Sequence, residues 1–492
     1  FNILKNMKNN ILKYKLQTCA LLVCALTFFS SCKDYLYVEP TNQLTLNSFT
    51  DVKRLLGGSL RNYQEGNDYL SGVPNVVTFY DEYLITYFYS DDCNTDKYLD
   101  TWMGQNNKGD FNKSQTWKHP DIHESIWSTY YKAIGFYNLI LAELKKHNTS
   151  NKAESECVEG EARVTRAYCF FHLVQLFAPY TDNQLGLPLN TEPDKVGSYD
   201  SRRQTQKENY AFIISELETA LNFKAEPESD YNIFYNKTFI KGLLAQVYLY
   251  KAGSGAKEDN DYAKASQYAK EVLASGITFN DIKTTPATSD EFGVLTSKKF
   301  APLMFLYSDG QKLQDIVGNK NYELAQYPAD DLYALYTDND LRKKEFFADD
   351  KGIIKFDCDF PWSYIRFILC SGAEMKLIAA EAEARQGHDD AALKELKEFA
   401  ATRYTNYVEP ARANLLQSIL DERRKEFCFE PFIRWCDMRR IGLEMSRKPR
   451  NKQEEPEAYK LTKDDFRYTM PIPKKAELKD NDIAQNPGWN NF

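Results

Sequence analysis

Aromatic and hydrogen-bonding residues are mixed in two stretches of the chain where helical periodicity is weak. Aromatic rings can cover the C–H faces of a sugar, while carboxylates and amides can hydrogen-bond to its hydroxyl groups. In the first stretch, residues 89–118, the candidate ligand-binding residues are Asp92, Asn94, Tyr98, Trp102 and Trp117. In the second stretch, residues 276–370, the candidates are Tyr307, Asp309, Tyr322 and Trp362. For each aromatic ring, the alternative is a place in the hydrophobic core.

The residue types do not favour an enzyme. A glycosidase needs two carboxylates that face each other across a cleft. The acidic pairs Asp91-Asp92 and Asp330-Asp331 are adjacent in sequence, so their side chains diverge. Such pairs are typical of turns and helix caps. The sequence also has no nucleophile elbow, P-loop or Rossmann fingerprint, so we expect no catalytic residues.

The histidines and cysteines do not indicate a metal site. His119 and His123 would share one face of a helix, but Pro120 lies between them, where a helix would only be starting. The chain has five histidines and no Cys-x-x-Cys pair, which leaves few of the usual zinc ligands. We expect neither a metal nor a cofactor. The seven cysteines after Cys32 are an odd number, which a complete disulfide framework cannot use, and we expect most of them to be buried.

Basic residues cluster between Arg423 and Arg440, but the chain as a whole is acidic. It has 62 Lys and Arg against 70 Asp and Glu, a formal net charge of −8. Nucleic-acid binding needs a basic surface, so we expect no nucleic-acid partner. The cluster is interleaved with four acidic residues, which are Glu422, Glu426, Glu430 and Asp437. This alternation predicts ion pairs inside a packed motif.

Residues 1–31 have the pattern of an export signal. Lysines precede an apolar run from Leu16 to Phe29, which is too short to span a bilayer comfortably. The sequence then reads FSSC, and small residues before a cysteine are similar to the cleavage site of bacterial lipoproteins. We expect cleavage before Cys32 and a lipid anchor on its thiol. The alternative is an ordinary signal peptide in which Cys32 has no role.

Helical periodicity dominates residues 120–275 and 370–430, where apolar residues recur at three- and four-residue spacing. It predicts one helix that ends near Lys146, a next helix that stops at Pro179, and another helix over residues 413–430. The stretches 70–118 and 276–370 lack this period, and we predict that they form a loop-rich face with few short strands. Paired helices of about 15 residues with short turns are typical of tetratricopeptide-like repeats. An irregular helical bundle is the alternative. The sequence therefore predicts an all-α fold in a single domain over residues 32–492.

Four regions together resemble the SusD/RagB family of outer-membrane nutrient-binding lipoproteins. They are SCKDYLYVEPTNQ at 31–43, EARVTRAYCFFHLVQLFAPY at 161–180, AEMKLIAAEAEARQG at 373–387, and ERRKEFCFEPFIRWCDMRRIG at 422–442 followed by YTMPIPKKAELKDNDIAQNPGW at 468–489. The resemblance implies a right-handed tetratricopeptide-like scaffold of about eight helices, with a ligand face built from the two loop-rich zones. It also implies a non-enzymatic, lipid-anchored receptor on the cell surface. Such a receptor binds oligosaccharide and delivers it to a SusC-like TonB-dependent barrel transporter.

Other functions stay open on the sequence alone. Within the family, the alternative is a RagB-like peptide receptor with the same transporter partner, and the acidic body would favour basic or neutral peptides. Outside it, the alternatives are a surface glycosidase and a structural partner of the transporter without a ligand site. Ring stacking is common to all sugars, so the aromatic residues do not identify one glycan.

Overall fold

The structure covers most of the chain after the predicted signal. The computed structural model describes residues 46–65, 85–99, 113–193, 202–228, 232–284, 300–307, 327–356, 365–430, 432–449, 455–473 and 482–489. The predicted signal at 1–31 and the predicted lipid anchor Cys32 lie outside these residues. The helices and strands from Phe49 onward all belong to one compact unit, residues 48–492.

Helices form most of this unit. In chain order they are α1 (Phe49–Glu65), α2 (Thr95–Leu99), α3 (Pro120–Lys146), α4 (Lys152–Phe177), α5 (Gln206–Leu221), α6 (Lys237–Ala252), α7 (Asp261–Ala274), α8 (Asp330–Ala334), α9 (Arg342–Phe346), α10 (Gly372–Arg385), α11 (Asp389–Ala400), α12 (Leu415–Glu426) and α13 (Ile433–Ile441). Short 3-10 helices cover Arg412–Asn414, Pro456–Tyr459 and Phe466–Tyr468.

Six short strands pair in three antiparallel ribbons. The strands are β1 (Leu303–Tyr307), β2 (Phe347–Asp350), β3 (Ile353–Phe356), β4 (Ile365–Cys370), β5 (Met445–Ser446) and β6 (Lys460–Leu461). The ribbons are β1 with β4, β2 with β3, and β5 with β6. In the first ribbon, Leu303 lies opposite Cys370 and Tyr307 lies opposite Ile365.

The long helices pack in chain order, with one interruption. Helix α4 packs against α3 and α5, and α10 packs against α7, α11 and α12. The stretch between α7 and α10 is therefore an excursion from a continuous helical stack. Its base is fixed to the stack, because the Gln246 amide of α6 donates a hydrogen bond to the Leu369 carbonyl of β4 at 3.0 Å.

Polar residues at the start of several helices explain where these helices begin. Thr205 and Glu208 form a capping box, in which the Thr205 hydroxyl accepts a hydrogen bond from the backbone N–H of Glu208, and the Glu208 carboxylate accepts one from the N–H of Thr205. The side chains of Asn151, Asn236 and Ser371 cap α4, α6 and α10 in the same way. These caps satisfy backbone donors that the helix itself leaves free.

Helix α4 lies at the centre of the core. Every residue from Val164 to Phe177 is buried, including polar and charged ones. A helix that is buried on all sides must have neighbours on all sides. This explains why the segment EARVTRAYCFFHLVQLF carries aromatic, aliphatic and ionic residues without a solvent face.

The all-α prediction is confirmed, but the expected number of about eight helices is too low. The described residues contain thirteen α-helices, of which nine have 12 residues or more. The extra ones include α2, α8 and α9, each of five residues, which are too short to produce a readable period. The described residues include no helix of sufficient length and apolar character to cross a membrane.

Candidate ligand-binding face

The two predicted loop-rich zones meet in the structure. The backbone N–H of Asn94 donates a hydrogen bond to the Tyr327 carbonyl at 2.7 Å, and the N–H of Ala329 donates one to the Asp92 carbonyl at 2.7 Å. Cys93 and Pro328 form the isolated antiparallel bridge between these bonds. Backbone pairing therefore fixes residues 92–94 of the first zone against residues 327–329 in the middle of the second.

Two short helices follow directly on this pairing. Asn94 precedes α2, where its side-chain carbonyl accepts a hydrogen bond from the backbone N–H of Lys97 at 3.1 Å. The Lys97 ammonium lies 3.2 Å from the Asp330 carboxylate at the start of α8, and both groups are exposed. Asn94 thus has a local structural role as well as its partly exposed position beside the candidate Tyr98.

An ionic cluster, which we call the loop clamp (Asp91, Asp331, Arg424 and Arg434), fastens both zones to α12 and α13, and all of its side chains except the exposed Asp331 are largely buried. The Arg434 guanidinium donates two hydrogen bonds to the Asp91 carboxylate, each at 2.6 Å. Arg424 lies 3.0 Å from the same carboxylate and donates to the Asp91 carbonyl at 3.0 Å. Its other terminal nitrogen donates to Asp331 at 2.8 Å. One guanidinium therefore connects the first zone to the second.

The structure overturns the prediction that Asp92 contacts a ligand. Its side chain has no exposed surface, and one carboxylate oxygen accepts a hydrogen bond from the backbone N–H of Phe429 at 3.0 Å. Burial and the adjacent Asp91 carboxylate raise the pKa of Asp92 to about 7. Burial would raise the pKa of Asp91 too, but Arg434 and Arg424 hold it below its ordinary value. Asp92 is therefore an internal support of the loop clamp.

Trp117 is also an internal residue, which corrects its prediction as a binding platform. The ring has no exposed surface, so neither face can reach a sugar. Its indole N–H donates a hydrogen bond to the Tyr89 carbonyl at 2.9 Å. The guanidinium carbons of Arg447 and Arg467 lie 4.5 Å and 5.2 Å from ring centroids of the indole. These cation–π contacts help to hold the ring in the interior of the protein.

For the remaining candidates, contact with a ligand stays a prediction. Tyr98 lies in α2 and Tyr307 ends β1, and only their backbone positions are described. Trp102, Asp309, Tyr322 and Trp362 lie outside the described residues. Tyr98 follows directly on the paired segment at Asn94, which places its backbone beside the junction of the two zones.

Three of the segments that carry the family resemblance converge at the C-terminal end of α4. The last carbonyls of this helix have no partners within it and need donors from elsewhere. Arg439 of α13 donates to the carbonyls of Gln175 and Ala178. From the C-terminal segment, the backbone N–H of Met470 donates to Leu176, and the Asn486 amide donates to Phe177, each at 2.8 Å. Motifs far apart in sequence thus close one helix end.

Two models of known protein families match the chain, and together they include these segments. Residues 200–489, more than half of the chain, match the family model described as the SusD family. Residues 34–249 match a second model, described as starch-binding associating with outer membrane. The chain belongs to the SusD family. A comparison with curated protein sequences finds no match.

Solved structures of SusD-like proteins have the same fold. A putative sugar binding protein from Bacteroides vulgatus ATCC 8482 aligns with a TM-score of 0.66 at 22% identity, over 91% of this chain and 100% of the other. A SusD superfamily protein from Bacteroides thetaiotaomicron VPI-5482 has a TM-score of 0.64 at 20% identity, over 90% and 100%. A SusD-like carbohydrate binding protein from Bacteroides vulgatus ATCC 8482 has 0.60 at 18%, over 82% and 85%. At these identities the similarity establishes the fold and not the ligand.

The predicted ion pairs of the 422–442 motif are confirmed. Arg423 lies 2.6 Å from Asp437 and 3.2 Å from Glu374 of α10, and all three side chains are buried. Arg440 donates to both oxygens of Glu381 in α10. Burial opposes ionisation of Glu381, but Arg440 and its neighbours lower its pKa to about 2. These pairs fix α13 to α10, and α13 also carries Arg434 of the loop clamp.

Sequence reasoning missed the partners that this SusD-family scaffold takes from its loop-rich excursion. Arg342, in α9, has no exposed surface and lies 2.8 Å from Asp340 and 2.5 Å from Glu422 of α12. Lys425 lies 3.3 Å from the same Asp340. The charged residues of α12, such as Glu422 and Lys425, indicate that ion pairs form, but these partners come from a segment that is predicted as loop.

Three of the five histidines, His119, His123 and His172, are buried, whereas His388 is exposed. The His123 imidazole lies 2.9 Å from the Tyr89 hydroxyl, which in turn accepts a hydrogen bond from the His119 backbone. Within the described ranges, no group of three or more His, Cys, Asp and Glu is placed to hold a metal ion. The six cysteines described there are buried. Trp127, Trp435 and Trp489 are buried as well.

Proposed function

We propose that this chain is a cell-surface lipoprotein of the outer membrane that captures oligosaccharides and delivers them to a SusC-like TonB-dependent transporter. The observation that carries the proposal is the junction of the two aromatic-rich zones on a rigid helical stack. The proposed step is binding and transfer of an intact glycan, without bond cleavage.

The proposed ligand contacts are the candidates other than Asp92 and Trp117, which are buried. Rings at Tyr98, Trp102, Tyr307, Tyr322 and Trp362 would cover the apolar faces of sugar units. Asn94 and Asp309 would hydrogen-bond to hydroxyl groups. The backbone pairing near Asn94 and the loop clamp support this arrangement, because they hold the two zones in one fixed relation before any ligand arrives.

The proposed location and partner rest on sequence and family. The basic and apolar leader ending in FSSC supports export and a lipid on Cys32. The match to the model described as starch-binding associating with outer membrane supports the same location. A lipid anchor on Cys32 would hold the chain at the membrane that contains the proposed transporter.

The test is calorimetry of the soluble chain that starts at Lys33 against a panel of polysaccharides and a peptide digest. Product analysis is run on the same samples. Saturable heat with a glycan that stays intact is the expected result. Shortened glycan would mean an enzyme and would refute the proposal, and heat with peptides alone would replace it with the peptide receptor.

A further inference from the structure

A polar cavity of about 290 Å³ lies on the helical scaffold, among α3, α4, α5 and the segment around Thr191. None of the residues that line it belongs to the paired loop segments or to the loop clamp. The volume is close to the lower end of the range of ligand pockets, roughly 300–1,000 Å³. This size suits one small molecule and not an extended chain.

The floor of the cavity is a rigid hydrogen-bonded network. The Arg166 guanidinium donates to the Asn138 side-chain oxygen at 2.7 Å and to Glu216 at 3.0 Å and 2.5 Å. The Asn138 amide donates to the Asn190 carbonyl at 2.8 Å. Arg163 donates to the other oxygen of Glu216. Because Asn138, Arg166 and Glu216 are buried and bonded to one another, the floor is formed before a ligand binds.

Charge decides which chemistry the cavity can accept. Three cations lie in or under it, namely Lys145, Arg163 and Arg166, and three carboxylates match them, namely Glu159, Glu192 and Glu216. The two guanidiniums are already paired with carboxylates, so an anionic ligand would have to compete with Glu216 and Glu159. A neutral ligand keeps these pairs and uses the remaining hydrogen-bonding capacity at the rim.

One wall of the cavity is apolar. The Phe212 ring of α5 is half-buried and lines the cavity, and Leu141 of α3 lines it as well. The Arg166 guanidinium lies 5.3 Å from the centre of the Phe212 ring and holds it in place. An apolar ring next to amide, hydroxyl and charged groups is the combination that a sugar or another polyol requires.

We propose that this cavity is a second binding site, separate from the loop face, for a neutral, hydroxyl-rich molecule of the size of one sugar unit. Asn138 and Arg166 form its floor, Glu216 holds Arg166 in place from outside the cavity, and Phe212 forms the apolar wall. The inference does not rest on the proposed transport function, because it uses none of the loop-face residues.

The test is saturation-transfer NMR on the full chain with glucose, galactose, mannose, N-acetylglucosamine and glucuronate. Ala142 lines the cavity and is half-buried, so Ala142→Trp fills the cavity without disturbing the core. The matched control is Ala211→Trp, an exposed position on α5 that does not line the cavity. We expect saturable binding of at least one neutral sugar, weakened at least tenfold by Ala142→Trp and unchanged by Ala211→Trp.

Three results would contradict the proposal. Absence of saturable binding for all neutral sugars overturns it, as does binding that survives Ala142→Trp in a folded protein. Tighter binding of glucuronate than of neutral sugars overturns the assignment of a neutral ligand. If Ala142→Trp fails to fold, Ser155→Phe fills the cavity from α4 and replaces it. Loss of oligosaccharide binding in Trp102→Ala with this sugar signal intact would separate the two sites.

Discussion

Removal of the Arg424 guanidinium tests whether the loop clamp holds the ligand face together. In Arg424→Ala, Asp91 loses two contacts at 3.0 Å, and Asp331 loses one at 2.8 Å. The Asp91 carboxylate is only 12% exposed, whereas that of Asp331 is 69% exposed. These two exposures mean that the contacts to Asp91 account for most of the effect.

The expected free energies follow from this difference. A buried, charged hydrogen bond contributes about 1.5–3 kcal/mol, whereas an exposed ion pair contributes about 0–1 kcal/mol. Asp91 keeps its two bonds from Arg434, so Arg424→Ala should lower the free energy of unfolding by about 2–3 kcal/mol. Asp331→Ala should lower it by about 0–1 kcal/mol. Asp91→Ala should lower it by about 3–5 kcal/mol, since it leaves the buried Arg434 without its nearest carboxylate and removes one of the carboxylates beside Arg424.

Urea unfolding of the three variants measures these values, with the denaturant slope as a check that the unfolding transition itself is unchanged. The expected order of destabilisation is Asp91→Ala, then Arg424→Ala, then Asp331→Ala. Equal effects of Arg424→Ala and Asp331→Ala would refute the reasoning, because exposure would then not decide the strength of the contacts. So would an Asp91→Ala variant that is more stable than Arg424→Ala.

Four further predictions concern the loop face, the buried Trp117, the pH dependence and the anchor. Trp102→Ala should weaken glycan binding by about 1–3 kcal/mol in calorimetry if its ring is a central contact. Trp117→Ala should instead destabilise the fold by about 3–5 kcal/mol in urea unfolding, and stability equal to that of the parent chain would contradict its buried position. The pKa of Asp92 is about 7 in the folded chain and about 3.8 as its ordinary value, so the folded chain holds this proton more tightly. Its contribution to stability is therefore complete below pH 4 and lost as the pH rises to about 7. Asp92→Asn should gain stability relative to the parent chain between pH 5 and pH 7.5, and a difference that does not change with pH would contradict the raised pKa. Cys32→Ala should move the protein from the membrane fraction to the soluble fraction, and a variant that stays with the membrane would refute the lipid anchor.

Local sequence predicted the long helices well, because their boundaries depend on nearby residues. The third helix was expected to end near Lys146, and the fourth was expected to stop at Pro179. The structure ends them at Lys146 and Phe177. The predicted helix at 413–430 is α12, which ends earlier, at Glu426, and the separate helix α13 that follows was not predicted. Phe429 and Phe432, with positive φ angles of 62° and 70°, lie between the two helices. Pro431 is the local sign of this break, because proline cannot continue a helix.

The candidate site was harder to predict because its outcome depends on distant partners. Trp117 and Asp92 were chosen for their residue type and for their place in a polar loop. Their burial comes from arginines near the C-terminus, such as Arg434, whose partner Asp91 is 343 residues away. The motif at 422–442 was correctly predicted to form ion pairs. However, part of its charge is directed to the loop zones, which no local pattern indicates.

The loop clamp separates the residues that fix the two zones from the residues that we propose to contact a ligand. Buried ion pairs are weak evidence for stability, since apolar residues of similar size often stabilise as well or better. A guanidinium nevertheless fixes direction, because its planar fork bonds Asp91 and Asp331 in one geometry. Arg424 and Arg434 therefore set the position of the two zones, while the aromatic candidates lie elsewhere in the same zones. Substitutions at these aromatic positions should change ligand preference with little effect on folding, whereas substitutions in the clamp should change both together.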